Sequence, residues 1–121
     1  MKKLFVLLST IVLLAACSST AEYRKISAAE AKEIIETQSP IIVDVRTAEE
    51  FASGHIANAI NIPVESITAA PAELPDKDAL IVVYCRSGNR SEQATRKLLD
   101  LGYTNLYDFG GIIDWPYEVV Q

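Results

Sequence analysis

Ala79-Leu80-Ile81-Val82-Val83-Tyr84-Cys85-Arg86-Ser87-Gly88-Asn89-Arg90-Ser91 is the stretch that decides the fold. Ala79 to Tyr84 is a continuous apolar run, β-branched at its centre, and this suits a strand buried on both faces of a parallel sheet. The run stops at a short polar loop, Cys85 to Arg90, that contains one glycine. From about Ser91 to Leu101, Ala94, Leu98 and Leu101 recur at helical spacing, and Gly102 supplies a C-terminal stop. In α/β sheets the edge between such a strand and such a helix is where ligands bind.

The same alternation extends in both directions. Tyr23-Arg24-Lys25-Ile26 reads as a short strand. Ser27-Ala28-Ala29-Glu30 is a capping box that opens a helix to about Thr37, with Ala31, Ile34 and Ile35 on one face and Ser39-Pro40 ending it. Ile41 to Val45 is a second β-branched buried strand. Thr47-Ala48-Glu49-Glu50 is a second capping box, before a short helix that Gly54 closes. Ala59 to Ile62 is a strand halted by Pro63, and residues 64–78, punctuated by Pro71 and Pro75, read as helix or irregular loop. Beyond the long helix, Asn105 to Asp108 is a last strand. Gly110-Gly111 then turns the chain into a closing helical segment that carries Trp115. Five strands separated by helices predict an α/β three-layer sandwich: a largely parallel sheet with helices on both faces.

The first residues do not belong to that domain. Met1-Lys2-Lys3 followed by the apolar run Leu4 to Ala16 has the pattern of a signal peptide, and the run is short for a membrane span. Leu14-Ala15-Ala16-Cys17 resembles the bacterial lipobox, in which the cysteine is acylated and becomes the first mature residue. The expected organisation is a signal peptide over 1–16, a lipid-anchored linker over 17–22 and one domain over 23–121. That places the protein in the cell envelope, facing the periplasm or the exterior; Ser18, with no aspartate there, is compatible with outer-membrane sorting.

The 121 residues carry a net charge of −5, which becomes −7 once residues 1–16, with two lysines and no acid, are removed. An acidic body argues against nucleic acid as a partner, and with no basic cluster any membrane attachment rests on the lipid. The chain has two cysteines. With Cys17 acylated, Cys85 is left as a solitary thiol in an exported protein.

The residues around Cys85 suit a sulfur anion. A helix N-terminus offers unpaired amides and partial positive charge, Gly88 permits a backbone turn that points successive amides inward, and Arg86 and Arg90 add formal charge. These effects favour a thiolate over a thiol. Cys85 is therefore the candidate nucleophile, with Arg86, Ser87, Gly88, Asn89 and Arg90 as candidate substrate-binding residues.

Three landmarks together resemble the rhodanese domain over roughly residues 22–117. Asp44-Val45-Arg46 with Glu49, Glu50, Phe51, Gly54, His55, Ile56 and Asn58 to Pro63 is similar to the family's first signature. Tyr84 to Ser91 is similar to its active loop, and Gly110-Gly111 with Trp115 to its closing segment. The resemblance implies a sulfurtransferase that moves sulfane sulfur from thiosulfate or a related donor to cyanide or a thiol through a Cys85 persulfide. It implies no metal or organic cofactor, and it allows a protein as sulfur acceptor. A non-catalytic or redox-sensing module stays open as a second reading. A phosphatase fits less well, because its loop resembles a cysteine, five residues and an arginine, whereas Arg90 comes after four and Ser91 stands in the next place.

Other conspicuous residues have plainer uses. His55 reads as a structural hydrogen-bond partner, Asp44 and Arg46 as a fold-stabilising pair, and Trp115, Tyr103, Tyr107 and Tyr117 as packing. Arg96 and Lys97 read as a solvated helix face. Metabolic labelling with a palmitate analogue is expected to mark the mature protein, and Cys17→Ala to abolish the label. Label that survives the substitution refutes acylation at that residue.

Overall fold

The computed structural model describes residues 22–121. Residues 1–16, read above as a signal peptide, Cys17 and all of the expected linker but Glu22 lie outside the described residues. Among the described residues nine strands and α-helices alternate: β1 (Arg24–Lys25), α1 (Ala28–Gln38), β2 (Ile41–Asp44), α2 (Ala48–Ser53), β3 (Ile60–Asn61), α3 (Ala70–Glu73), β4 (Ile81–Cys85), α4 (Asn89–Asp100) and β5 (Leu106–Gly111). The strands form one sheet in the order β1-β5-β4-β2-β3, every pairing parallel. This is the predicted α/β sandwich.

Both capping boxes form, Ser27 with Glu30 and Thr47 with Glu50, each hydroxyl and carboxylate exchanging hydrogen bonds with the other residue's backbone. The stretch 64–78 resolves into a 3-10 segment, Val64–Ala69, running into α3, with Val64, Ile67, Ala70 and Leu74 buried.

All five residues of β4 are buried, so the strand sits in the middle of the molecule. Side chains alternate across it. Ile81, Val83 and Cys85 join Val43, Val45, Ala94, Leu98 and the 64–74 segment in one cluster, while Val82 and Tyr84 join Ile42, Ala31 and Phe109, with Ile34, Ile35 and Trp115 packed against them, in the other. Each face thus has its own helical cover, which is why the run showed no polar alternation.

One ion pair is buried inside this frame. Arg46 Nη2 lies 2.7 Å from Asp44 Oδ2 and donates also to Gly54 O at 2.7 Å, and the Arg46 amide caps Asp44 Oδ1 at 2.9 Å. Asn61 Nδ2 binds the carbonyls of Asp44 and Arg46, and the guanidinium lies 5.8 Å from the centre of the Tyr84 ring. The pair locks the exit of β2 to the end of α2 and leans on β4, so its role is the structural one expected. Removing one member strands the other charge out of water. Asp44→Ala is expected to cost about 3–5 kcal/mol in urea unfolding, a lower midpoint at unchanged slope. A loss below about 1 kcal/mol would show that the frame does not depend on the pair.

Candidate functional site

Cys85 is the last residue of β4, paired with Gly111 of β5, rather than the first residue of a loop. Its side chain faces the α4 side of the sheet, it is 1% exposed, and its thiol is free. The sulfur is nevertheless not surrounded by hydrocarbon alone, because the Gly88 amide donates a hydrogen bond to Sγ at 3.0 Å. Gly88 achieves this with φ +108°, a region L side chains rarely adopt, and from there it caps α4.

That turn corrects the expected helix boundary. Gly88 O accepts from Glu92 N at 3.1 Å and from the Ser91 hydroxyl at 3.0 Å, so α4 begins at Asn89, two residues earlier than the apolar spacing indicated. Asn89 and Arg90 are first-turn helical residues, and the loop proper is Arg86 to Gly88. Arg86, Ser87 and Asn89 are exposed, while Gly88 and Arg90 are half-buried.

The two glycines after Phe109 are also not where the sequence suggested. They do not turn the chain; they are the end of β5. The register shifts by one residue between Val83 and Tyr84, opposite Phe109, so that Tyr84 pairs with Gly110 and Cys85 with Gly111. Asp108, 3% exposed, stabilises the shift by accepting the Gly110 amide at 2.8 Å, and its burial pushes its carboxyl above the usual range. A Cβ on Gly111 would stand 2.2 Å from Arg86 O and 2.7 Å from Ser87 Cα. The loop therefore rests directly on bare backbone. Ile113 N, in the 3-10 segment Ile112–Asp114, holds the same Arg86 carbonyl at 3.2 Å. Trp115 follows that segment and packs on Phe109, ring centres 5.1 Å apart, as the packing residue it was read to be.

The two arginines that flank Gly88 differ in state. Arg86 has no ion pair among the described residues. Arg90 is held by Glu50 of α2 through two hydrogen bonds, Nη1 to Oε1 at 2.7 Å and Nη2 to Oε2 at 3.0 Å. The Arg90 guanidinium holds the Glu50 carboxyl down to about 2. Arg90 is itself raised, first by Glu50 and, among lesser contributions, by the charges of Cys85 and Glu65.

Three residues near the site escaped the sequence reading. Glu50 was read as a helix cap and part of the first signature, Ser91 as a helix start at the end of the active loop, and Asp108 as the end of a strand, none of them with a partner at the site. No local pattern marks a partner forty positions away. The plainer readings agree with the structure. His55 Nδ1–H donates to Phe51 O at 2.8 Å and its ring stacks on that of Phe51, Tyr103 is fully buried, and Arg96 pairs with Glu92 on the surface.

Gly111→Ala is expected to shift the Gly88 amide resonance and to cost about 1–3 kcal/mol in unfolding, since the loop must move to admit a methyl group. A wild-type midpoint with an unmoved Gly88 signal would show that the loop is not seated on β5.

Residues 27–116 match the model of the rhodanese-like domain. A sulfurtransferase of Allochromatium vinosum is 40% identical over 85 residues, covering 69% of this chain and 78% of the relative. The thiosulfate sulfurtransferase PspE of Escherichia coli is 38% identical over 73 residues, covering 60% of this chain and 70% of the relative. Among solved structures, the human single-domain sulfurtransferase TSTD1 superposes with a TM-score of 0.69 at 30% identity, covering 75% of this chain and 93% of that one. Several further relatives are much longer proteins, of which the chain spans about a fifth. On the match over three quarters of its length, and on the strand, loop and helix that carry Cys85, the chain belongs to the rhodanese-like domain family.

Proposed function

We propose that the protein is a sulfurtransferase that carries sulfane sulfur on Cys85. The Cys85 thiolate attacks the outer sulfur of thiosulfate or a related donor and a sulfur–sulfur bond forms. The donor's own sulfur–sulfur bond breaks, its electron pair leaving with sulfite, and Cys85 is left as a persulfide. An acceptor such as cyanide or a thiol then attacks the outer sulfur, and the electron pair of the persulfide bond returns to Cys85. One difficult transfer becomes two easier ones.

The observation that carries this reading is the Gly88 amide aimed at Sγ from 3.0 Å, at the junction of a buried strand and a helix. An amide hydrogen fixed there stabilises negative charge on sulfur without reorganising when the charge develops. Cys85 is 1% exposed, so the donor approaches through the loop, where Arg86, Ser87 and Asn89 are open to solvent. The names of the bacterial and human relatives support transfer of sulfur, and that of PspE supports thiosulfate as a donor. In the same proposal a lipid on Cys17 holds the domain at a membrane of the cell envelope.

The test is thiosulfate and cyanide turnover by the full chain beside its Cys85→Ser variant. The variant is expected to lose activity by about a thousandfold or more, as when a nucleophile is removed. Mass spectrometry after thiosulfate exposure is expected to find one added sulfur on the Cys85 peptide. Equal turnover in both proteins overturns the mechanism, no added sulfur favours a binding or sensing module, and turnover of p-nitrophenyl phosphate alone favours a phosphatase.

A further inference from the structure

An anionic donor approaching Cys85 meets fewer positive charges than the sequence of the loop advertises. Arg86 is exposed and has no ion pair among the described residues, but Arg90 is matched by Glu50 through two hydrogen bonds. The side chains of that pair are 28% and 30% exposed, so it sits at the rim and not in the core.

Helix stability explains only one member of the pair. Glu50 is the third residue of α2, where a carboxylate suits both the Thr47 cap and the helix dipole. Arg90 is the second residue of α4, where a cation opposes the helix dipole. A charged pair in these two places is better explained by its position, because Arg90 stands in the first turn of the helix whose cap, Gly88, donates its amide to Cys85 Sγ at 3.0 Å. Glu65, exposed in the 3-10 segment, is the other acid that acts on Arg90.

The geometry points to Glu50 as a specificity-determining residue: by matching the charge of Arg90 it leaves Arg86 as the unmatched cation at the mouth, and so limits the preference for doubly charged donors over neutral ones. Glu50 touches no reacting atom; it acts through Arg90. This inference rests on the sulfur-transfer reading for its substrate, but the charge at the mouth is measurable without turnover.

The experiment is Glu50→Gln in the full chain, which keeps the cap and removes the charge, beside Glu50→Asp, which keeps the charge. In Glu50→Gln the KM for thiosulfate is expected to fall about fivefold at low ionic strength with kcat changed by less than about twofold, and the gain to shrink at roughly 0.5 M salt. The rate of Cys85 alkylation by anionic iodoacetate, relative to neutral iodoacetamide, is expected to rise by a similar factor, while Glu50→Asp stays near wild type in both readings. A raised or unchanged KM with an unchanged alkylation ratio overturns the assignment. A raised ratio in a protein that turns over no thiosulfate upholds the charge assignment and overturns the sulfur-transfer reading instead.

Discussion

The contact on which the site depends is the hydrogen bond from Gly88 N–H to the Cys85 sulfur, and it exists because a residue without a side chain can hold φ at +108°. Any other residue there would favour a different turn, and the amide would face elsewhere. The same turn starts α4 at Asn89, which sets Asn89 and Arg90 in its first turn and buries Ser91 beneath the loop. One dihedral angle thus settles where the sulfur, the helix end and the flanking charges lie relative to each other.

Behind the loop, the sheet does the supporting. β4 is buried along its whole length and cannot shift without opening both clusters, so Cys85 is delivered to a fixed point. β5 meets it with an extra residue at Phe109, which brings Gly110 and Gly111 alongside Tyr84 and Cys85. The absence of a Cβ at Gly111 lets the Arg86 carbonyl approach more closely than any side chain permits. The glycine pair is therefore a seat for the loop, and the register shift that positions it is held by the buried carboxyl of Asp108.

Electrostatics at the rim are distributed over elements far apart in the chain. Asp44 and Arg46 satisfy each other inside the fold and take no part at the mouth. Glu50, in the first turn of the next helix, reaches across to Arg90 and matches its charge at the rim. Near-identical chemistry, carboxylate on guanidinium, is buried and structural in the first case and half-exposed beside the loop in the second, where we assign it a tuning role.

The sequence alone determined the sheet, its parallel sense and the cysteine. β-branched apolar runs at Ile41 and Ile81 suit strands covered on both faces, and the capping boxes at Ser27 and Thr47 mark helix starts through contacts three residues long. Local patterns report local physics. What tertiary structure decided was everything that pairs distant residues: Glu50 with Arg90, Gly111 beneath Arg86, Asp108 at the bulge, and the near-complete burial of Cys85. These follow from strand register and from the angle at which α2 and α4 meet the sheet, quantities that no stretch of a dozen residues encodes by itself.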